Sequence, residues 1–152
     1  MGIEKNKNIV NPSDHPVLLA EDNPDDILIT QRAWRKGLIK NELYVVKDGE
    51  EALDFLYRKG KYLDAPRPSL MLLDLKMPKV DGFEVLKTMK GDDALKKMPI
   101  IVLTTSNRHE DVNRAYEMGC NAYIVKPVSF DNFIKAVAEI QRFWLILCEI
   151  PT

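Results

Sequence analysis

The 152-residue chain is long enough for one well-packed core, and its 22 Lys and Arg nearly balance its 23 Asp and Glu, which gives a net charge of -1. This balance argues against a general nucleic-acid binder, which needs a basic surplus, and it leaves no polybasic patch for a membrane surface. The longest apolar run, residues 143–148, is far shorter than the roughly 20 residues of a membrane-spanning helix.

The chain ends indicate a cytoplasmic protein without a targeting signal. Residues 1–15 are polar, contain no apolar signal-peptide region and predict a flexible arm. A single domain is expected over 16–148, followed by a tail at 149–152. Cys120 and Cys148 are not spaced as metal ligands, and we expect both to be reduced, with a disulfide between them as the alternative.

Five short apolar runs alternate with segments of helical pattern. Such runs are typical of parallel strands buried on both faces. They cover Val17–Ala20, Leu43–Val46, Leu70–Leu73, 100–103 and Ala122–Val125.

Helix-start signals lie between these runs. Asn23 followed by Pro24 is an N-cap with proline at the first helical position, and Asp81 with Glu84 has the spacing of a capping box. Ser129 opens the last helical segment, which we expect to run to about residue 148. Glycines close three of the helical segments, namely Gly37, Gly91 and Gly119. The pattern predicts an α/β fold of (βα)5 type, with a parallel five-stranded sheet and right-handed crossovers.

The connection at 59–69 is longer than the usual link between elements. We interpret it as an exposed loop, with a partner-contact loop as the alternative.

Polar residues follow four of the five predicted strands. Glu21 and Asp22 follow the first, Asp74 the third, Thr104 the fourth and Lys126 the fifth. Each alone is more often a helix cap or a solvated side chain. Together they meet at the carboxyl edge of a parallel sheet, where ligands bind. Three unpaired carboxylates would repel one another, and oxygen ligands of this kind suit Mg²⁺.

From residue 16 to about 141, roughly four-fifths of the chain, the sequence resembles the bacterial receiver domain of two-component response regulators. The resemblance implies a flavodoxin-like three-layer sandwich with strand order 2-1-3-4-5, and a protein that accepts a phosphoryl group and signals by changing shape. It is carried by the acidic pair in 19–23, by 73–78 with Asp81 and Gly82, by 103–106 and by 119–127.

The resemblance implies that Asp74 is the phosphorylated residue. Mg²⁺ would be bound by Glu21, Asp22, Asp74 and the backbone carbonyl of Lys76. The acidic pair is Glu-Asp where the family more often has Asp-Asp, and it still supplies two carboxylates. Lys76, Thr105 and Ser106 stand at or beside positions where the family tunes dephosphorylation, and our hypothesis is that Lys76 and Thr105 crowd the water path and lengthen the life of the phosphate.

The resemblance also implies a switch. Lys126 and Thr104 would bind the phosphoryl group, and Tyr123 would rotate into the space that Thr104 vacates. The alternative for Tyr123 is a half-buried strand aromatic. The peptide bond before Pro127 is expected to be cis.

The end of the last helix is a candidate interface formed by Phe143, Trp144 and Leu147, or it is tucked against the domain itself. Together with the 59–69 loop, it resembles stand-alone regulators paired with phytochrome-type histidine kinases. The expected partners are therefore a sensor histidine kinase and a second copy of the chain, with no nucleic acid and no membrane. The alternatives are an aspartyl-phosphate hydrolase, a flavodoxin-like cofactor binder and a scaffold without phosphotransfer.

Overall fold

A computed structural model describes residues 15–37 and 41–147, with side chains as far as Leu145 in the last turn. The predicted arm up to residue 14, Cys148 and the tail at 149–152 lie outside these residues. The strands are β1 (Val17–Ala20), β2 (Leu43–Val46), β3 (Leu70–Leu73), β4 (Ile100–Thr104) and β5 (Ala122–Val125). The helices are α1 (Pro24–Lys36), α2 (Gly49–Tyr57), α3 (Gly82–Lys90), α4 (His109–Glu117) and α5 (Phe130–Arg142).

The five strands form one parallel sheet in the order β2-β1-β3-β4-β5. All five predicted strands are confirmed, and β4 continues one residue further, to Thr104. β1, β3 and β4 are buried along their whole length, because helices cover both faces of the sheet. The three-layer α/β sandwich and its strand order are therefore confirmed.

The helices begin where the sequence places their caps. The Asn23 side chain accepts hydrogen bonds from the backbone N–H groups of Asp25 and Asp26, and Pro24 is the first residue of α1. Asp81 and Ser129 cap α3 and α5 in the same way. These caps satisfy N–H groups that have no partner inside the helix.

Each face of the sheet has its own core. On one face, α2, α3 and α4 pack over the sheet through residues such as Phe55, Leu86 and Ala115. On the other, α1 and α5 pack together, with Trp34 and Phe133 among the buried side chains. This layering leaves the carboxyl edge of the sheet open above both cores.

Two segments differ from the prediction. The long 59–69 connection contains a 3-10 helix at Gly60–Tyr62, and the Arg67 guanidinium donates to the Ala94 carbonyl at 2.7 Å, so the segment is tied to the loop before β4. After α5 the chain forms a π-helix at Phe143–Leu147, in which Leu145 is buried while Phe143 remains 52% exposed.

Across the described residues, no helix is both long enough and apolar enough to cross a membrane.

Candidate functional site

Three carboxylates meet at the carboxyl edge of the sheet. Glu21 and Asp22 follow β1 and Asp74 follows β3, and the two strands are neighbours in register, with Ala20 beside Leu73. One oxygen of each carboxylate lies within 4.8 Å of the other two. Glu21 and Asp74 are buried, whereas Asp22 is exposed and leaves the cluster open to solvent. Carboxylate oxygens at a site that is open to solvent on one side fit Mg²⁺ or a similar divalent cation that keeps some of its water ligands.

Lys126 crosses from the end of β5 into this acidic cluster. Its backbone N–H donates to the Thr104 carbonyl at 2.7 Å, which extends the β4–β5 pairing by one step. Its buried ammonium donates to the carboxylates of Glu21 and, at 3.4 Å, of Asp74. Lys126 thus lies with Glu21 and Asp74 at the sheet edge where the sequence places them, and its role in binding a phosphoryl group stays a prediction.

Burial acts in opposite directions on the pKa values of the two buried partners, Glu21 and Lys126. Burial raises the pKa of Glu21 to about 7, and the neighbouring charge of Asp74 acts in the same direction. Burial alone would lower the pKa of Lys126, but hydrogen bonds to Asp26 and Glu21 more than offset it and raise that pKa to about 12. Lys126 is therefore a permanent cation in this pocket, while Glu21 changes charge near neutral pH.

The peptide bond between Lys126 and Pro127 is trans, so the predicted cis bond was wrong. The trans isomer is the lower-energy form of a bond before proline, by about 0.5–1 kcal/mol. The long side chain of Lys126 reaches the carboxylates from a trans backbone, so the contact does not require the cis form.

The hydroxyl of Thr104 is buried and unpaired. The residue is fully buried at the end of β4, and its Oγ1 has no hydrogen-bond partner among the described residues. An unpaired buried hydroxyl lowers stability, so such a group points to a role outside folding. Thr104 ends β4, the strand next to β3, and Asp74 directly follows β3.

Tyr123 is tied to the loop that follows Thr104. Its ring is half-buried, and its hydroxyl donates to the carbonyl of Ser106 at 2.8 Å. The Ser106 hydroxyl in turn donates to Asp111 at 2.6 Å, at the start of α4. The loop between β4 and α4 is therefore linked to the edge strand β5 through one tyrosine.

The three residues predicted to tune dephosphorylation divide into two groups. The side chains of Lys76 and Thr105 are exposed, whereas Ser106 is buried. The backbone N–H of Lys76 lies 3.5 Å from an oxygen of Asp74, and the loop is closed by a hydrogen bond from the Gly82 N–H to the Leu75 carbonyl at 2.9 Å. Lys76 therefore borders the acidic cluster with its backbone while its side chain faces solvent.

Sequence reasoning missed Asp26. Its carboxylate accepts a hydrogen bond from the Lys126 ammonium at 2.8 Å, which is shorter than the contact of that ammonium with Asp74. In the sequence, an aspartate in the first turn of a helix indicates only a favourable interaction with the helix dipole. The available signal was its place in the first turn of α1, four residues after Asp22.

The predicted interface residues lie at the far end of the domain from this pocket. Phe143 and Trp144 line a groove of about 580 Å³ together with residues of β5 and α5, among them Ile124 and Ile140. Trp144 is half-buried and packs against the α1–α5 core. The side chain of Leu147 lies outside the described residues. The π-helix is thus partly tucked against the domain, at Leu145, and partly exposed, at Phe143.

Known proteins resemble this chain over most of its length. Residues 17–138 match the response regulator receiver domain family. The chain is 40% identical over 135 residues to response regulator Rcp1 of Synechocystis sp., covering 89% of this chain and 92% of that protein. It is 39% identical over 130 residues to the probable methanogenesis regulatory protein FilR2 of Methanothrix harundinacea, covering 85% and 83% of the two chains.

Solved structures agree with the sequence relatives. The phosphorylated cyanobacterial phytochrome response regulator RcpA superposes with a TM-score of 0.88 at 38% identity, covering 91% of this chain and 99% of that one. The Mn²⁺-bound form of Rcp1 superposes with a TM-score of 0.87 at 39% identity, over the same shares of the two chains. The chain therefore belongs to the response regulator receiver domain family and is a signalling module of two-component systems.

Proposed function

We propose that this receiver accepts a phosphoryl group on Asp74 in a reaction that requires Mg²⁺. One observation carries the proposal: the buried Asp74 carboxylate contacts the buried Lys126 ammonium, and the buried Thr104 hydroxyl at the end of β4 has no hydrogen-bond partner among the described residues. Folding alone gives no reason to bury a hydroxyl without a partner beside a charged cluster. A phosphoryl group on Asp74 would supply the missing acceptor for Thr104 and a further anion for Lys126.

The reaction transfers a phosphoryl group from an oxygen or nitrogen atom of the donor to a carboxylate oxygen of Asp74. An oxygen of the Asp74 carboxylate forms the new bond to phosphorus while the bond between phosphorus and the donor's leaving group breaks, and the leaving group keeps the electron pair. Lys126 balances charge on a phosphoryl oxygen. Glu21, Asp22, Asp74 and the Lys76 carbonyl would hold Mg²⁺, which would supply positive charge to offset that of the transferring group.

The output is a change of shape. The Thr104 hydroxyl moves to donate to the phosphoryl group, and Tyr123 gives up its bond with the Ser106 carbonyl and turns into the vacated space. This is a local change of charge and packing that selects between two states of the loop after β4. The protein acts as a phosphoacceptor that signals through protein contacts, and it turns over no separate substrate.

The phosphodonor is a phosphohistidine of a sensor histidine kinase of phytochrome type, in the cytoplasm. The similarity to RcpA, a cyanobacterial phytochrome response regulator, supports this choice. The exposed side chains of Lys76 and Thr105 border the path of an attacking water and lengthen the life of the phosphate. A half-life of seconds after removal of the donor would reject this last point.

A second copy of the chain binds at the exposed end of the last helix. Phe143 is 52% exposed beside the apolar groove that it shares with Trp144. We expect Phe143→Glu to abolish dimers in sedimentation equilibrium. Leu63→Glu, at an apolar side chain that is 71% exposed elsewhere, is the matched control and should leave the dimer unchanged.

The phosphotransfer proposal is tested by intact mass after incubation with acetyl phosphate, with and without Mg²⁺, for wild type and Asp74→Asn. A gain of one phosphoryl group that needs Mg²⁺ and is absent from Asp74→Asn would support it. If wild type gains no mass from acetyl phosphate or from a phosphorylated histidine kinase, the chain is a receiver scaffold without phosphotransfer.

A further inference from the structure

We propose that Asp26 is a positioning residue that holds the Lys126 ammonium in place for phosphotransfer to Asp74. This inference rests on the proposed function of Asp74 as phosphoryl acceptor. It concerns a fourth carboxylate, outside the cluster of Glu21, Asp22 and Asp74.

The Lys126 ammonium has three carboxylate partners, which serve different purposes. Glu21 and Asp74 belong to the cluster that would bind the cation. Asp26 contacts the ammonium at 2.8 Å, and it is the partner of Lys126 that stands outside that cluster among the described residues. If Glu21 and Asp74 held a divalent cation, Asp26 would remain as the anchor of the ammonium.

Asp26 is itself fixed by the start of α1. Its backbone N–H donates to the Asn23 side chain at 3.1 Å, and its carbonyl accepts from the buried Thr30 hydroxyl at 2.8 Å. The Asn23 backbone N–H donates to the second oxygen of Glu21 at 3.2 Å. The cap of α1 therefore sets the positions of both carboxylates that flank the ammonium.

A lysine needs such an anchor. Its four-carbon stem is flexible, and its compact charge offers no fixed geometry, in contrast to a guanidinium. The ammonium lies 3.4 Å from the Asp74 oxygen, so a phosphoryl oxygen carried by Asp74 would be within its reach. An ammonium already held at this place stabilises the transferred charge without first being reoriented.

The test compares the rate of phosphorylation by acetyl phosphate with saturating Mg²⁺ in wild type, Asp26→Ala, Asp26→Glu and Asp25→Ala. Asp25 is the matched control because it is an exposed carboxylate in the same helical turn. We expect Asp26→Ala to slow phosphorylation about threefold or more, which is within the range of couplings between contacting residues. Asp26→Glu should recover part of the rate, and Asp25→Ala should match wild type.

If Asp26 only supported the fold, Asp26→Ala would slow phosphorylation whether or not Lys126 is present. We therefore expect Asp26→Ala to have no further effect in a Lys126→Ala background, measured at high phosphodonor concentration. The ¹⁵N signal of the Lys126 ammonium, assigned by its absence from Lys126→Arg, gives a readout that does not depend on phosphotransfer. It should be retained in Asp25→Ala and lost or shifted in Asp26→Ala.

Equal rates and equal ammonium signals in Asp26→Ala and wild type would overturn the inference while the proposed function stood. An equal loss of rate in both Lys126 backgrounds, or a faster reaction in Asp26→Ala, would also overturn it. Absence of phosphorylation in wild type from any donor would reject the proposed function, and with it the role of Asp26.

Discussion

Gly49, the first residue of α2, packs directly against the backbone carbonyl of Val80, so that a Cβ atom at position 49 would lie 1.7 Å from the Val80 oxygen. Val80 belongs to the loop that leads from Asp74 to α3. In the same loop, the Lys79 ammonium lies 3.7 Å from the carboxylate of Asp48, the N-cap of α2. The start of α2 therefore fixes the loop that follows the proposed phosphoacceptor.

We predict that Gly49→Ala lowers the free energy of unfolding by about 1–3 kcal/mol, as overpacking against a rigid neighbour does. It should also weaken Mg²⁺ binding, because the displaced loop carries the Lys76 carbonyl. Urea denaturation with and without Mg²⁺ measures both effects. Gly91→Ala is the control, since its Cβ would lie 3.3 Å from the nearest atom, the Lys87 carbonyl oxygen. Equal urea midpoints for the two variants would contradict the prediction.

Replacing Thr104 by valine should separate stability from function. Valine has nearly the same shape and removes a buried hydroxyl that has no partner among the described residues. We expect Thr104→Val to raise the free energy of unfolding by about 1 kcal/mol and to reduce the yield of phosphorylated protein. Thermal denaturation and intact mass after acetyl phosphate treatment measure the two effects.

Thr30→Val is the matched control for Thr104→Val. Thr30 is equally buried, but its hydroxyl donates to the Asp26 carbonyl at 2.8 Å. Valine there should lower the free energy of unfolding by about 1 kcal/mol because a formed hydrogen bond is lost. If both valine variants are destabilised by the same amount, the Thr104 hydroxyl has a partner in solution.

The strands were predictable because each is a short apolar run that ends in a polar residue. β3 is the example: Leu70–Leu73 is fully buried and Asp74 follows at once, so the end of the strand and the site coincide in sequence. Parallel pairing then places such strand ends at one edge. This is why Glu21, Asp74 and Lys126 were identified together without any structural information.

The contacts that depend on side-chain reach were not predictable. Asp26 and Lys126 are 100 positions apart, and nothing local to either residue indicates the other. The close approach of Gly49 to Val80 depends on how a helix start meets a distant loop. The isomer of the bond before Pro127 was likewise open, since the sequence alone permits either form.

The pKa of Glu21 predicts how stability depends on pH without metal. Burial raises this pKa from 4.5 to about 7, so between these values the folded state binds more protons than the unfolded state. The free energy of unfolding should therefore fall as pH rises through this range, by on the order of 2–3 kcal/mol, and level off above it. Urea denaturation in EDTA at several pH values measures the decline.

Glu21→Gln should lack this decline, because glutamine does not titrate. Glu117→Gln, at an exposed position on α4, should keep the pH dependence of wild type. A parallel decline in all three proteins would show that Glu21 is not its source.

Tyr123→Phe removes the hydroxyl that donates to the Ser106 carbonyl at 2.8 Å and holds the ring in its resting position. We expect the free energy of unfolding to fall by about 1 kcal/mol. Because the switch no longer has to break this bond, acetyl phosphate should phosphorylate the variant up to about fivefold faster. In the control, Tyr116→Phe, the lost hydroxyl accepts from the Tyr123 N–H at 3.2 Å, a bond that the switch does not break. A similar acceleration in Tyr116→Phe would mean that loosening of β5, and not release of the tyrosine ring, sets the rate.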